Sequence, residues 1–255
     1  MLYGLYLSAT GVMNNSYRQD VIANNLANAQ TNGFKRDLAM FRQRPTAAEE
    51  DPSKHSWTDS LMENIGGGNF AEPTKMDLSE GSLEQTGNTL DAAIDGPGYF
   101  TVQDHGQTRL TRDGQFLLDN SGNLITANGH NLPVLDTNGD PIKLDAGLRS
   151  QTLIGQDGTI RQGDKAVAKL AVVDVPDPAK LKNEGATLLS YPDPKQYQAA
   201  TGIVRGQFVE NANVDPATEM AALMDTQRQL EANANMIHYQ DSTLDKLVNT
   251  VGRIS

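Results

Sequence analysis

The chain contains no cysteine. Disulfides, zinc–thiolate centres and cysteine nucleophiles are therefore excluded. Histidine is also scarce: His55, His105, His130 and His238 stand far apart, with no HxxxH or HxH spacing, so no metal site is expected on them. The few aromatic residues argue against a carbohydrate cleft lined by stacking rings. Basic residues are outnumbered, 21 against 32 acidic, for a net charge of −11. A nucleic-acid partner would usually demand a basic face, and an anionic membrane surface would repel this chain. The acidity is read as an aid to solubility. No run of about 18 apolar residues exists, so no transmembrane helix or direct membrane insertion is expected. The start, MLYGLYLSATGVMNNSYRQ, lacks a basic opening and an unbroken apolar core. It is not expected to be a cleaved leader, so export would need another route.

Chemical motifs are missing too. Gly96-Pro97-Gly98 opens neither a GxxxxGKS/T loop nor a GxGxxG turn, and no GxSxG elbow occurs. Asp119-Asn120-Ser121-Gly122 and the stretch from Asp136 to Asp140 resemble calcium loops only faintly. Neither has ligands spaced through twelve residues and a closing Glu, so hairpin turns are the better reading. Acidic residues are plentiful, yet nothing singles out a catalytic pair. The expectation is no catalytic residue, no metal and no cofactor. With 255 residues the chain is long enough for one large domain or two modest ones.

What is present is periodicity at both ends. From Leu2 to Ala29 there is no proline, and Leu2, Leu5, Ala9, Val12, Ser16, Gln19, Ala23 and Leu26 recur at alternating steps of three and four. Tyr6, Met13 and Ile22 widen the stripe. At the other end, Asp215 suits an N-cap and Pro216 the first helical position. From there Met220, Leu223, Gln227, Leu230, Ala234, Ile237, Asp241, Leu244, Val248 and Val251 keep the same alternation. This is the spacing of a coiled-coil seam. Both seams carry polar positions, which lower stability but can select register and partner. The ends are expected to form a shared coiled coil that neighbouring subunits complete, folding fully on assembly.

Between Pro45 and Met76 the chain is polar, with three prolines and Gly66-Gly67-Gly68. It reads as a linker or extended arm, with Trp57 and Leu61-Met62 as possible anchors. From Asp77 to Val209, Asp113-Gly114, Ser121-Gly122, Asn128-Gly129, Asn138-Gly139 and Asp157-Gly158 separate short β-forming runs. Strands are predicted at Tyr99–Val102, Thr108–Arg112, Gln115–Leu118, Leu124–Thr126, Thr152–Ile154, Ala168–Val173 and Ile203–Val209, as an antiparallel sandwich or partial barrel. Asp174 to Asp193, with three prolines, is predicted as a looped excursion. The predicted class is α+β: N- and C-terminal helices paired as a coiled coil, bracketing an antiparallel β-rich domain with short hairpins. The domain boundaries are 1–44 for the N-terminal helix and its following segment, 45–76 for the arm, 77–212 for the β-rich domain and 213–255 for the C-terminal helix. Within VIANNLANAQTNGFKR, Asn24, Asn28 and Thr31 share a helical face, a polar stripe suited to bonding another helix; Asn32-Gly33 is a plausible helix stop.

These residues resemble the N-terminal motif of flagellar rod and hook proteins. The resemblance continues in order through Gly81-Ser82-Leu83, TGNTLDAAIDGPGYF, TRDGQF, GNLITANGH, GQDGTI and GQFVENANVDPATEM, then LEANANMI in the last helix. It spans most of the chain outside the arm. It implies a structural subunit of the bacterial flagellar basal body, exported by the flagellar type III apparatus without leader cleavage. Such subunits stack helically in the periplasm with copies of themselves and other rod proteins. Their terminal helices form an inner tube, with the β-domain outside, and they transmit torque. The short single middle domain and the ending LVNTVGRIS resemble proximal rod members; the distal rod is the alternative. The assembly interface is expected at Leu5, Val12, Ile22 and Leu26 at one end and Leu223, Leu230, Ile237, Leu244 and Val248 at the other. Asn24, Asn25, Asn28 and Phe34 are expected to make specific inter-subunit contacts. Two rival classes are a secreted calcium- or glycan-binding β-module and a peptidoglycan-remodelling enzyme.

Overall fold

The computed structural model describes residues 2–45, 68–185 and 187–251. The expected anchors Trp57 and Leu61-Met62 lie outside the described residues, as does most of the glycine run. Among the described residues the chain divides into two compact units. A helical unit draws on Met1–Ala27, Asp37–Lys75 and Asp215–Ser255, and a β-rich unit on Asn28–Arg36 and Met76–Val214.

In the helical unit, helix α1 spans Leu2–Ala27 and helix α2 spans Pro216–Val251. Asp215 caps α2 as its composition suggests: its carboxylate accepts from the backbone N–H of Ala217 and Thr218 and from the Thr218 hydroxyl. Those bonds, the Thr218 hydroxyl first, hold the Asp215 carboxyl below its ordinary range. Strand β1 (Asp37–Gln43) pairs with β2 (Asn69–Met76) in a two-stranded ribbon. Part of the segment expected as an arm is thus a strand. The ribbon meets α1 through Tyr17, whose hydroxyl donates to the Glu72 carbonyl at 2.9 Å and whose ring stands edge-on to Phe41.

The β-rich unit is built of short antiparallel pairs. Its strands are β3 (Leu83–Gln85), β4 (Ala92–Asp95), β5 (Tyr99–Asp104), β6 (Gln107–Thr111), β7 (Phe116–Leu118) and β8 (Leu124–Thr126), then β9 (Thr152–Ile154), β10 (Thr159–Gln162), β11 (Lys165–Lys169) and β12 (Val172–Asp174). The last five are β13 (Lys182–Asn183), β14 (Leu188–Ser190), β15 (Gln198–Ala199), β16 (Ile203–Gly206) and β17 (Phe208–Glu210). The largest sheet has the order β13-β14-β6-β5-β12-β15, and a three-stranded sheet has the order β11-β10-β9. One core gathers Phe100, Phe116, Leu124, Ile142, Ile160 and Leu170, with the two phenylalanine rings edge to face at 5.3 Å. A second gathers Tyr99, Leu110, Leu181, Leu189 and Tyr191.

Several sequence expectations need correcting. The run Ile203–Val209 is two strands, because Gln207 takes a positive φ of 65° and redirects the chain; β16 pairs with β4 and β17 with β3. Ala168–Val173 likewise divides between β11 and β12. The excursion after Asp174 returns as β14, next to β6 in the main sheet, because Leu188 and Leu189 are both buried there. Asp113-Gly114 makes no exposed hairpin turn: Asp113 is buried, and a Cβ on Gly114 would lie 1.5 Å from the Ala92 carbonyl oxygen. Residues 28–36, expected with the terminal helices, pack with the β-rich unit.

Candidate assembly surface

The helical unit is where most of the predicted residues fall. α1 and α2 run antiparallel. A Cβ on Gly4 would stand 2.9 Å from Gln240 Nε2, and one on Gly11 would stand 2.7 Å from Asn233 Nδ2. A step of seven along α1 thus matches a step of seven back along α2. Glycines let the backbone of α1 approach closely, and two carboxamides fill the space. The α2 seam consists of two heptad columns. One is aliphatic: Leu223, Leu230, Ile237 and Leu244, all half-buried. The other is polar: Glu219, Thr226, Asn233 and Gln240, with Glu219 and Thr226 fully buried. The aliphatic column is the one read from the sequence. Its expected companions Met220, Gln227 and Asp241 are exposed, because the second column lies one residue earlier. Val248 is 70% exposed.

On α1 the buried line is Ser8, Asn15, Ile22 and Asn25, with Val21 beside it. Leu5, Val12 and Leu26 flank it, half-buried, whereas Ser16 and Ala23 face outward. By the antiparallel register, Ser8, Asn15 and Ile22 fall within one residue of the levels of Ile237, Leu230 and Leu223. Two small polar groups on α1, Ser8 and Asn15, therefore stand near aliphatic groups on α2, and Ile22 near Leu223. Such a seam holds two helices in register and adds little hydrophobic stabilisation.

The asparagines separate by role. Asn25 is 1% exposed. Its Nδ2 donates to the Asp37 carbonyl and its Oδ1 accepts from the Asp37 N–H, both at 2.9 Å. It ties α1 to β1 within one chain, so both ends of its carboxamide are engaged away from any neighbouring subunit. Asn28 closes the turn after α1: its carbonyl accepts from Thr31 N–H and its Oδ1 from the Thr31 hydroxyl. Asn24 is exposed on α1. Phe34, 2% exposed, is a core residue of the β-rich unit and is not available for inter-subunit contact.

Sequence reasoning missed a second constellation, in the β-rich unit, where three of the quoted motifs converge. Lys35 Nζ lies 2.6 Å from Glu210 Oε1, and Arg112 NH1 lies 3.2 Å from Glu210 Oε2. The three side chains are 4%, 5% and 1% exposed for Lys35, Arg112 and Glu210. Gly81 N–H donates to Glu210 Oε1, and Lys35 also donates to the Ser79 carbonyl. Arg112 further donates to the carbonyls of Ile94 and Gly96 and covers the Tyr99 ring. Asn213 accepts from the Arg36 N–H and donates to the carbonyls of Asp77 and Ser79. Gly33, at φ +71°, sits where a Cβ would lie 2.3 Å from Asp113 N. This junction joins the irregular segment 33–36, the TRDG loop and the end of β17. Only charge type and motif order in the sequence hinted at it.

Asp113, in the same loop, is buried, and burial pushes its carboxyl up to about 6 from an ordinary 3.8; the Asp91 carboxylate adds to the rise, and the Gln115 N–H opposes it. A carboxyl raised on folding binds its proton more tightly in the native state. The cost is full above pH 6, fades as pH falls through that value and vanishes below the unfolded pKa. About two units correspond to roughly 3 kcal/mol. Asp113→Asn is expected to raise the unfolding free energy measured with urea at pH 8 by that order and to leave it nearly unchanged near pH 3. Equal effects at both pH values would contradict the assignment.

Comparison with known proteins completes the picture. The family model described as flagella basal body rod protein matches residues 5–35. That of the flagellar hook protein FlgE/F/G D1 domain matches 93–162, and that of the flagellar basal body rod FlgEFG protein C-terminal matches 205–250. The chain is 34% identical over 254 residues to the flagellar basal-body rod protein FlgF of Mesorhizobium japonicum, covering 97% of each. It is 31% identical to the flagellar basal-body rod protein FlgG of Bacillus subtilis, covering 98% of this chain and 99% of the relative. It is also 31% identical to FlgG of Buchnera aphidicola subsp. Schizaphis graminum, covering 97% and 99%.

Proposed function

The chain belongs to the flagellar basal-body rod protein family, and from that premise we propose that it is a structural subunit of the proximal rod. It stacks helically in the periplasm with copies of itself and other rod proteins, and transmits torque. It performs no catalysis. The observation that carries this reading is the antiparallel α1–α2 pair, a long element whose seam is half polar and whose flanks leave Tyr6, Met13, Met236 and Tyr239 at 51% to 72% exposure. A stiff helical pair with unspent apolar flanks suits a tube wall made of repeated head-to-tail contacts.

A distal rod position is the second reading, favoured by FlgG relatives that align over nearly their whole length. Immunogold labelling of isolated basal bodies separates the two. Label at the membrane-proximal end of the rod supports the proposal. Label next to the hook supports the distal reading, and no label on the rod contradicts both.

A further inference from the structure

We infer that Asn128 is a site of spontaneous covalent modification, at which the side-chain amide is lost and the turn 127–131 acquires an aspartate or an isoaspartate. Asparagine is among the thermolabile residues. It reacts most readily before glycine, where no following side chain shields the backbone nitrogen. Three such pairs occur, Asn32-Gly33, Asn128-Gly129 and Asn138-Gly139. As dipeptides they are identical, so the fold must rank them.

The chemistry says what to look for. The glycine nitrogen bonds to asparagine Cγ, the Cγ–Nδ2 bond breaks, and ammonia leaves with the proton that the glycine nitrogen gives up. The resulting succinimide takes up water and opens at either carbonyl, to aspartate or to isoaspartate. The reaction needs a glycine N–H that is not already engaged, a carboxamide that can turn toward it and a turn with room to bend.

Two of the pairs fail this test. The Gly33 N–H donates to the Glu210 carbonyl at 2.7 Å. Gly33 is buried, and a Cβ there would lie 2.3 Å from Asp113 N, so its nitrogen cannot swing toward Asn32. Asn138 is exposed and would rank first by exposure alone. Yet the Gly139 N–H donates to the Asp136 carbonyl at 3.0 Å. The Asp136 carboxylate accepts from the Asn138 N–H at 2.7 Å and from its Nδ2 at 3.0 Å. Nucleophile and leaving group are both tied to one residue.

Asn128-Gly129 passes. Gly129 is exposed, with no atom within 4 Å of where a Cβ would stand, and its N–H makes no hydrogen bond among the described residues. The Asn128 carboxamide is held by one bond, from Nδ2 to Thr187 Oγ1 at 2.9 Å, and its Oδ1 has no partner. The same surroundings accept the product. Thr187 Oγ1 takes donors from Asn128 and, at 3.4 Å, from Thr111, which leaves its own proton to donate to a carboxylate at 128. An isoaspartate would instead add a backbone atom to a turn closed by Thr126 and Leu132, whose main chains bond at 3.0 Å. Conversion is one-way, so the converted fraction records the age of a copy.

The test is peptide mapping by mass spectrometry, with fragment-ion sequencing, on the purified full chain held at mildly alkaline pH and physiological temperature. In the native chain Asn128 is expected to convert several-fold faster than Asn32 or Asn138. In urea, where the three pairs are released from the fold, they should convert at similar rates. Asp136→Ala frees the Asn138 carboxamide and should raise its conversion several-fold while leaving Asn128 unchanged. Asn32 or Asn138 leading in the native chain, or Asn128 leading in urea as well, overturns the inference. So does an Asp136→Ala chain in which Asn138 converts no faster, since the protection assigned to Asp136 would then be absent.

Discussion

Glu210→Ala is expected to destabilise the protein by about 3–5 kcal/mol, a large share of a typical domain's total stability. The reason is asymmetric. Glu210 holds two cations, Lys35 at 2.6 Å and Arg112 at 3.2 Å, and all three are buried. Removing the carboxylate leaves both positive charges in a low-dielectric site, where each keeps its desolvation cost and loses its counter-charge. The Gly81 N–H loses its acceptor as well. Glu210→Gln keeps the shape and an acceptor oxygen, so it is expected to fall between the native chain and Glu210→Ala. Urea unfolding followed by circular dichroism measures both. A loss under about 1 kcal/mol for the alanine variant would place this triad with solvated surface pairs.

Leu230→Asp combined with Ile237→Asp is expected to abolish incorporation into rods while the β-rich unit stays folded. The two side chains are consecutive members of the aliphatic column of α2. The register puts Asn15 and Ser8 within one residue of their levels, so polar groups stand near them across the seam. Each substitution removes part of the ~1.5–3 kcal/mol that burying such a side chain supplies. Each also places a carboxylate in the seam, beside a column that already holds Glu219. Two such losses exceed what a half-polar helix pair can spare. Basal bodies purified from cells producing the variant should lack the chain by immunoblot, and the purified variant should keep its β-type circular dichroism. Normal rods would contradict the role given to this seam.

Much of the fold was legible because its signals are local. The heptad recurrence of Leu223, Leu230, Ile237 and Leu244 marks α2, and Asp215-Pro216 marks its start. The exact strands at Leu124–Thr126 and Thr152–Ile154 follow from turn residues on both sides. What escaped reading is of another kind. The second column of α2 is polar, so Thr226, Asn233 and Gln240 do not register as a seam; only the glycines facing two of them, seven apart on α1, betray it. The turn at His105-Gly106, where both residues take positive φ, lacks the Asn-Gly or Asp-Gly that marks such turns. Asn25 and Phe34 lie in a motif that reads as an interface, yet the first is spent on Asp37 and the second on the core. The Lys35–Glu210–Arg112 junction joins residues far apart in the chain, a distance no periodicity spans. The family motifs around it are therefore explained in large part by the β-rich unit's own packing.

The central claim is that the rod wall is made of terminal helix pairs from this family of chains, with α1 and α2 of one copy antiparallel. A density map of isolated basal bodies, resolved well enough to trace side chains in the rod, tests it most directly. The account predicts α1 and α2 paired along the rod wall, with Gly11 against Asn233 in each copy. Helices separated from one another in the rod would contradict it.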